Sequence, residues 1–223
     1  VAGLDLIRKV EGGTAHALTI PLLAKSDGTK FGKTASGAIW LDSTMTSAYE
    51  ISQFWLNSDD ADMPKLLKVF SMKDRKEIER LIETVNTNPG AREAHRELAR
   101  EMTTLIHGAD MAKKVEEAAK ALFGQGEISE LDLATLDSAL SQLPKTQVKK
   151  GEDFPTWVDL LAATGVVDSK SAARRIVKEG GAYLNNKKVE SEDFTPSKSD
   201  LLHGKYLLLR KGKRDLAAVE IVG

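Results

Sequence analysis

Cysteine is absent from the 223 residues, which excludes disulfides and thiolate metal sites and suits a reducing, cytoplasmic setting. Histidine is nearly as scarce. His16, His95, His107 and His203 are scattered without ligand spacing, so no protein-bound metal is expected. No apolar run approaches the ~20 residues needed to cross a bilayer, and no secretory or transit signature opens the sequence, so no membrane role is expected. What is present is ordinary for a folded protein. The hydrophobic fraction of 41% is enough to bury cores, in one large domain or two to three small ones.

The net charge of −1 conceals an asymmetry. Residues 46–153 carry 15 Lys/Arg against 20 Asp/Glu, whereas residues 154–214 carry 12 against 7. A basic tail on an acidic middle is the pattern of a nucleic-acid module joined to something else.

Residues 1–45 read as the tail of an α/β domain. A short helix over 4–10 closes at Gly12-Gly13, and the apolar run 15–24 predicts a buried strand. The loop Gly28-Thr29-Lys30-Phe31-Gly32-Lys33-Thr34 follows, then a short extended segment at 38–41. Glycines let a backbone approach phosphate closely, and lysines supply compact positive charge. A P-loop needs four residues between its first Gly and the Gly-Lys-Thr; Gly28 and Gly32 enclose three, and no helix start follows. This is a phosphate-facing loop of another kind, or a solvated turn. One strand and one helix cannot cover two faces of a sheet, so the rest of that sheet is expected upstream of Val1.

From residue 46 the pattern turns helical. Ser47 to Glu50 has capping-box form, with Ala48, Ile51 and Trp55 at helical spacing. Pro64 suits the first turn of a helix whose apolar face is Leu66, Leu67, Val69 and Phe70. The stretch 71–74 opens another, running through Ile78, Leu81, Ile82 and Val85 to the breaker at 86–90. A long helix over 91–107 places Ala94, Leu98, Met102 and Leu105 inward and stops at Gly108. Asp110 is expected to cap the next, ending at Phe123-Gly124. The Arg/Glu alternation at 92–101 reads as a solvated face with helical-neighbour pairs. Residues 144–153 lack periodicity and read as a linker or edge strand.

Residues 154–223 form a compact α+β unit: a helix capped at Thr156 and stopped at Gly165, and a second capped at Ser169 and stopped at Gly180-Gly181. Strands follow at 182–184 and 187–189 around the turn Asn185-Asn186, then at 206–209 and 217–222. On the second helix Lys170, Arg174 and Lys178 lie four apart and share a face, with Arg175 beside them. Lys187, Lys188, Lys211, Lys213 and Arg214 carry the basic character onto hairpins. Any one of these is an ordinary surface cation; clustered on one small domain they favour RNA phosphates.

Residues 169–189 resemble the RNA-binding domain named after ribosomal protein S-four. Together with Leu18-Thr19-Ile20-Pro21-Leu22-Leu23, the lysine loop, and the stretches at 46–49 and 53–57, the whole chain resembles the bacterial tyrosyl-tRNA synthetase family of class I. The resemblance implies a multidomain protein, α/β plus all-α plus α+β. Residues 1–45 would end a Rossmann-type catalytic domain, 46–143 would be a helical anticodon-arm domain, 144–153 a linker, and 154–223 the RNA-binding domain. It implies that Lys30-Phe31-Gly32-Lys33-Thr34 is the mobile class I loop that closes over ATP, taken with Mg. Lys30 and Lys33 would be the catalytic cations, Gly32 would give flexibility and Thr34 a hydroxyl, and Leu22 and Leu23 would lie near adenine. Tyrosine, tRNA(Tyr) and a second subunit are the implied partners.

The family's other ATP signature, His-Ile-Gly-His, is nowhere in these residues. By itself the chain is therefore expected neither to activate tyrosine nor to charge tRNA. The competing expectation is a stand-alone protein binding structured RNA, which would have no use for the lysine loop.

Overall fold

A computed structural model describes residues 2–20, 22–34, 37–151 and 153–223; the side chains at 33 and 34 are outside the description. The chain divides into two compact units, Val1–Ile39 and Trp40–Gly223.

In the first unit α1 spans Ala2–Glu11, and Gly12 at φ +65° turns the chain out of it. The expected strand at 15–24 does not form. Leu18 is 95% exposed and Ile20 86%, and Pro21 lies outside the described residues. A strand depends on neighbours for its backbone hydrogen bonds, and among the described residues none is paired with 15–20. Only Ala24 makes a bridge, to Lys30. Beyond the lysine loop, β1 (Lys33–Thr34) pairs antiparallel with β2 (Gly37–Ala38).

In the second unit the helices are α2 (Ala48–Leu56), α3 (Met63–Phe70), α4 (Arg75–Thr87), α5 (Glu93–His107), α6 (Ala109–Leu122) and α7 (Leu133–Ser141). The Ser47/Glu50 capping box opens α2 as expected, and Asp74 caps α4 through the Glu77 amide. Three details differ from the sequence pattern. Val69 and Leu105 face solvent, because the stripes that pack inward on α3 and α5 centre on Leu66/Leu67 and on Leu98/Met102. Gly108, with φ +86°, occupies the N-cap of α6, and Asp110 falls inside its first turn. The helix α7 was not singled out in the sequence, although Leu133, Leu136 and Leu140 recur at helical spacing; Asp132 caps it through the Thr135 amide.

The Arg/Glu run is more than a solvated face. Arg92 sits at φ +47°, and its guanidinium donates to the carbonyls of Leu56 (2.6 Å) and Ser58 (3.0 Å), satisfying the end of α2. Glu101 accepts from Ser71 Oγ (2.7 Å) and Met72 N (2.5 Å), and Arg100 reaches Glu116 on α6 at 2.5 Å. His95 is buried within 3.1 Å of Asp60. Burial and the Arg92 charge push its pKa down, so at neutral pH this is a polar contact rather than an ion pair.

The C-terminal part adds α8 (Trp157–Ala163), α9 (Lys170–Lys178) and the strands β3 (Lys145–Lys149), β4 (Ala182–Leu184), β5 (Lys187–Lys188), β6 (Tyr206–Lys211) and β7 (Asp215–Val222). The sheet order is β3-β7-β6-β4-β5. The ambiguous stretch before α8 thus contains an edge strand, parallel to β7 from Lys145/Ala218 to Lys149/Val222. Asn185 and Asn186, at φ +47° and +65°, make the tight turn between β4 and β5.

Both faces of this sheet are covered. Leu207, Leu209, Ala217 and Val219 pack under α8 and α9, around the fully buried Trp157. The alternate residues Tyr206, Leu208, Leu216 and Ala218 pack against α2, α6 and α7. Strand periodicity of two sends neighbouring leucines to opposite cores, which is why 206–209 is an unbroken apolar run. Polar ties cross the same junction: Asn186 Nδ2 donates to the Ala121 carbonyl (2.6 Å), and the His203 ring contacts the Leu131 carbonyl.

An ionic cluster closes its edge. Asp137 on α7 accepts from the Tyr206 hydroxyl and from Lys205 Nζ (3.1 Å), which also meets Glu220 at 3.3 Å. Burial pushes Asp137 up, but the Tyr206 hydroxyl and the Lys205 ammonium outweigh it and hold the carboxyl below its ordinary 3.8. A depressed carboxyl stabilises the fold above its unfolded pKa, and that stability is lost as pH falls through the folded value. Unfolding by urea is therefore expected to show an acid-side loss beginning near pH ~4. In Asp137→Asn that component should be missing; an identical pH profile in the variant would remove the cluster from the stability account.

Candidate functional site

The lysine loop is a small hairpin rather than a free turn. The Lys25 amide donates to the Thr29 carbonyl (2.9 Å), and the Phe31 amide donates to the Leu23 carbonyl (3.3 Å). At its tip the amide and hydroxyl of Thr29 both donate to Asp27 Oδ1, at 2.8 and 2.6 Å, and lower that carboxyl's pKa. Gly28 and Gly32 lie at φ +81° and +80°, where a side chain would be strained. The Ile39 amide donates to the Gly32 carbonyl, so the second glycine joins the first hairpin to β1–β2.

This arrangement puts Leu23 directly across from Phe31 and leaves Lys30 and Leu22 exposed. Lys33 and Thr34 follow on β1. Their placement on a strand is described, whereas their side chains are not. The backbone here offers a lysine at 30, bridged to Ala24, and a second on β1 three residues on.

On the second surface Ser169 caps α9 through the Ala172 amide, and Ala173 and Val177 bury its inner face. Lys170, Arg174, Arg175 and Lys178 are left exposed, as the four-residue spacing required. The other predicted cations are brought toward its C-terminal end. The Gly212 amide in the β6–β7 turn donates to the Gly181 carbonyl (2.7 Å), fixing Lys213 and Arg214 near the helix end. Lys188 lies close to Gly180: its Nζ would sit 3.0 Å from a Cβ added there. Lys187 is exposed beside it on β5. Lys211 is half-buried and pairs with Asp215 at 3.0 Å, so its charge is largely spent inside the hairpin.

Two features away from the α9 face were not read from the sequence. Arg210 lies 3.8 Å over the Tyr183 ring, a cation–aromatic stack on the sheet. An open crevice of about 630 Å³ runs beside the β6–β7 turn, where Gln53, Asn57 and Gln142 join Arg214. The amides come from α2 and the end of α7, about 160 residues before the turn in the case of Gln53, and no local signal could join them.

Residues 1–124 match the family model described as tRNA synthetases class I (W and Y), more than half the chain. The chain belongs to that family. Residues 135–219 of this class I chain also match the model for a tyrosine–tRNA ligase SYY-like C-terminal domain. It is 57% identical over 223 residues to the tyrosine–tRNA ligase of Streptomyces avermitilis, covering 100% of this chain and 52% of that protein. With the Thermobifida fusca tyrosine–tRNA ligase it shares 53% over 223 residues, covering 98% and 52%. The class I chain thus spans about half the length of the curated relatives it matches. A solved tyrosyl-tRNA synthetase C-terminal domain is 26% identical, covers 44% of this chain and 96% of that one, and superimposes with a TM-score of 0.35, too loosely to inform the fold.

Proposed function

We propose that this chain is the part of a tyrosine–tRNA ligase that supplies the mobile ATP loop and grips tRNA. The observation that carries the reading is the hairpin at 23–31 with Lys30, followed by Lys33 on β1, in one chain with the basic face of α9. In the reaction the tyrosine carboxylate attacks the α-phosphorus of MgATP and pyrophosphate leaves; the tyrosyl group then passes to tRNA. Lys30 and Lys33 stabilise charge developing on the β- and γ-phosphates. That help counts only where it is stronger in the transition state than in the bound substrate. Thr34 adds a hydroxyl, Gly32 the hinge, and the backbone of Leu22 and Leu23 the edge along which adenine lies. The parent enzyme works in the cytoplasm as a homodimer.

The division of labour follows the proposed domains: residues 1–45 for ATP, 46–143 for the anticodon arm, and 154–223 for the variable arm. Two results test it. These 223 residues, assayed alone for tyrosine-dependent ATP–pyrophosphate exchange, should show no turnover, because the His-Ile-Gly-His half of the ATP clamp is not among them. Measurable exchange would overturn the division. For the tail, Arg174→Ala with Arg175→Ala should weaken tRNA binding and reduce the slope of log affinity against log salt by about one to two. Undiminished binding at low and high salt would count against this surface.

A further inference from the structure

The cations on α9 do not stand alone. Lys170 Nζ lies 2.6 Å from Asp159 Oδ1 on α8, and Arg175 Nε lies 3.8 Å from Glu179. Most telling is Glu192, which reaches over from the loop after β5 and touches two cations at once. Its Oε1 is 3.2 Å from Lys178 Nζ and its Oε2 3.8 Å from Arg174 Nε. The loop is not a loose tether. Phe194, two residues on, packs against the α8–α9 core, and its carbonyl accepts the Trp157 amide at 2.8 Å. The Asp193 amide also donates to Ser191 Oγ. Glu192 is thus an anchored carboxylate whose side chain is 30% exposed, set against side chains that are 54% and 71% exposed.

We infer that Glu192 is a built-in competitor for phosphate on the α9 face, an autoinhibitory contact that polyanions must displace before Arg174 and Lys178 can bind them. The inference rests on the reading that α9 binds RNA. A carboxylate bridging two cations occupies the position a phosphate would take and cancels part of the potential that attracts one. Exposed ion pairs are individually weak, so displacement is cheap enough to be routine yet lowers affinity for every RNA alike. The contact keeps the basic face from saturating on bulk RNA and speeds release. The opposite role, a carboxylate that pre-positions the two cations for phosphate, predicts weaker binding when it is neutralised.

The test uses the 223-residue chain with a fluorescein-labelled oligouridylate and with transcribed tyrosine tRNA, read by anisotropy across a salt series. Glu192→Gln should tighten binding of both roughly two- to five-fold at low salt and steepen the salt slope by about one. Glu11→Gln makes the same change of net charge on α1, in the stretch proposed for ATP rather than RNA, and should leave both unchanged. Binding that is unchanged or weaker in Glu192→Gln, or equally tighter in Glu11→Gln, overturns the inference. If the Arg174/Arg175 variant binds more weakly at the same time, the RNA reading survives that failure. If the arginine variant binds like the unaltered chain, the RNA surface lies elsewhere and the role of Glu192 falls with it. Thermal unfolding of each variant, unchanged, confirms that the fold is intact.

Discussion

Replacing Lys33 by alanine, in a chain extended to the full length of its relatives, is expected to slow tyrosine-dependent ATP–pyrophosphate exchange by about 10²- to 10³-fold, or ~3–4 kcal/mol. The loss should fall on kcat, with the KM for ATP little changed, because a lysine serving the leaving pyrophosphate acts most strongly as its charge develops. Position 33 is strand-bound, paired with Ala38, and follows a glycine at φ +80°. The backbone at 33 is thus held by strand pairing next to a glycine in a left-handed conformation. Lys30, beside the turn, should show the same pattern with a smaller loss. Exchange by Lys33→Ala at the unaltered rate would take the loop out of the chemistry.

The largest stability effect is expected at Trp157. It is fully buried at the start of α8, and its Nε1 donates to the Tyr183 carbonyl at 3.2 Å. Truncation to alanine empties the centre of the α8–α9 core and removes that hydrogen bond, for a loss of about 3–5 kcal/mol. Against a total stability of about 5–15 kcal/mol, that is a large fraction of the whole. Urea unfolding followed by circular dichroism gives the number. Trp157→Phe keeps most of the packing and loses the indole hydrogen bond, so it should cost nearer ~1 kcal/mol. A Trp157→Ala loss below ~1 kcal/mol would mean that the core collapses around the gap.

Local signals were legible where the physics is local. Caps at Ser47, Thr156 and Ser169 each bond an amide three residues on, and side chains of that type preceding apolar periodicity announce such bonds. The face shared by Lys170, Arg174 and Lys178 follows from helical geometry alone. Arg92 shows the limit. In sequence it is one more member of an Arg/Glu run, yet it adopts a left-handed backbone to cap a helix some 36 residues earlier. The misjudged strand at 15–24 shows another. Its apolar residues are those of a buried strand, but a strand exists only with partners, and the described residues provide one only beside Leu23 and Ala24.

The sequence by itself determined the helices of residues 46–123, the two short helices and hairpins of the tail, the spacing of the lysine loop, and the sign of charge on α9. Each depends on residues within a turn or two of one another. Only the tertiary structure decided what covers the sheet and what faces the charges. The run Tyr206-Leu207-Leu208-Leu209 could announce that both faces are buried, but not that α2, α6 and α7 cover one and α8 and α9 the other. Glu192 stands 14 and 18 residues from the cations it bridges. Burial and ion pairing act through space, and neither leaves a period in the chain.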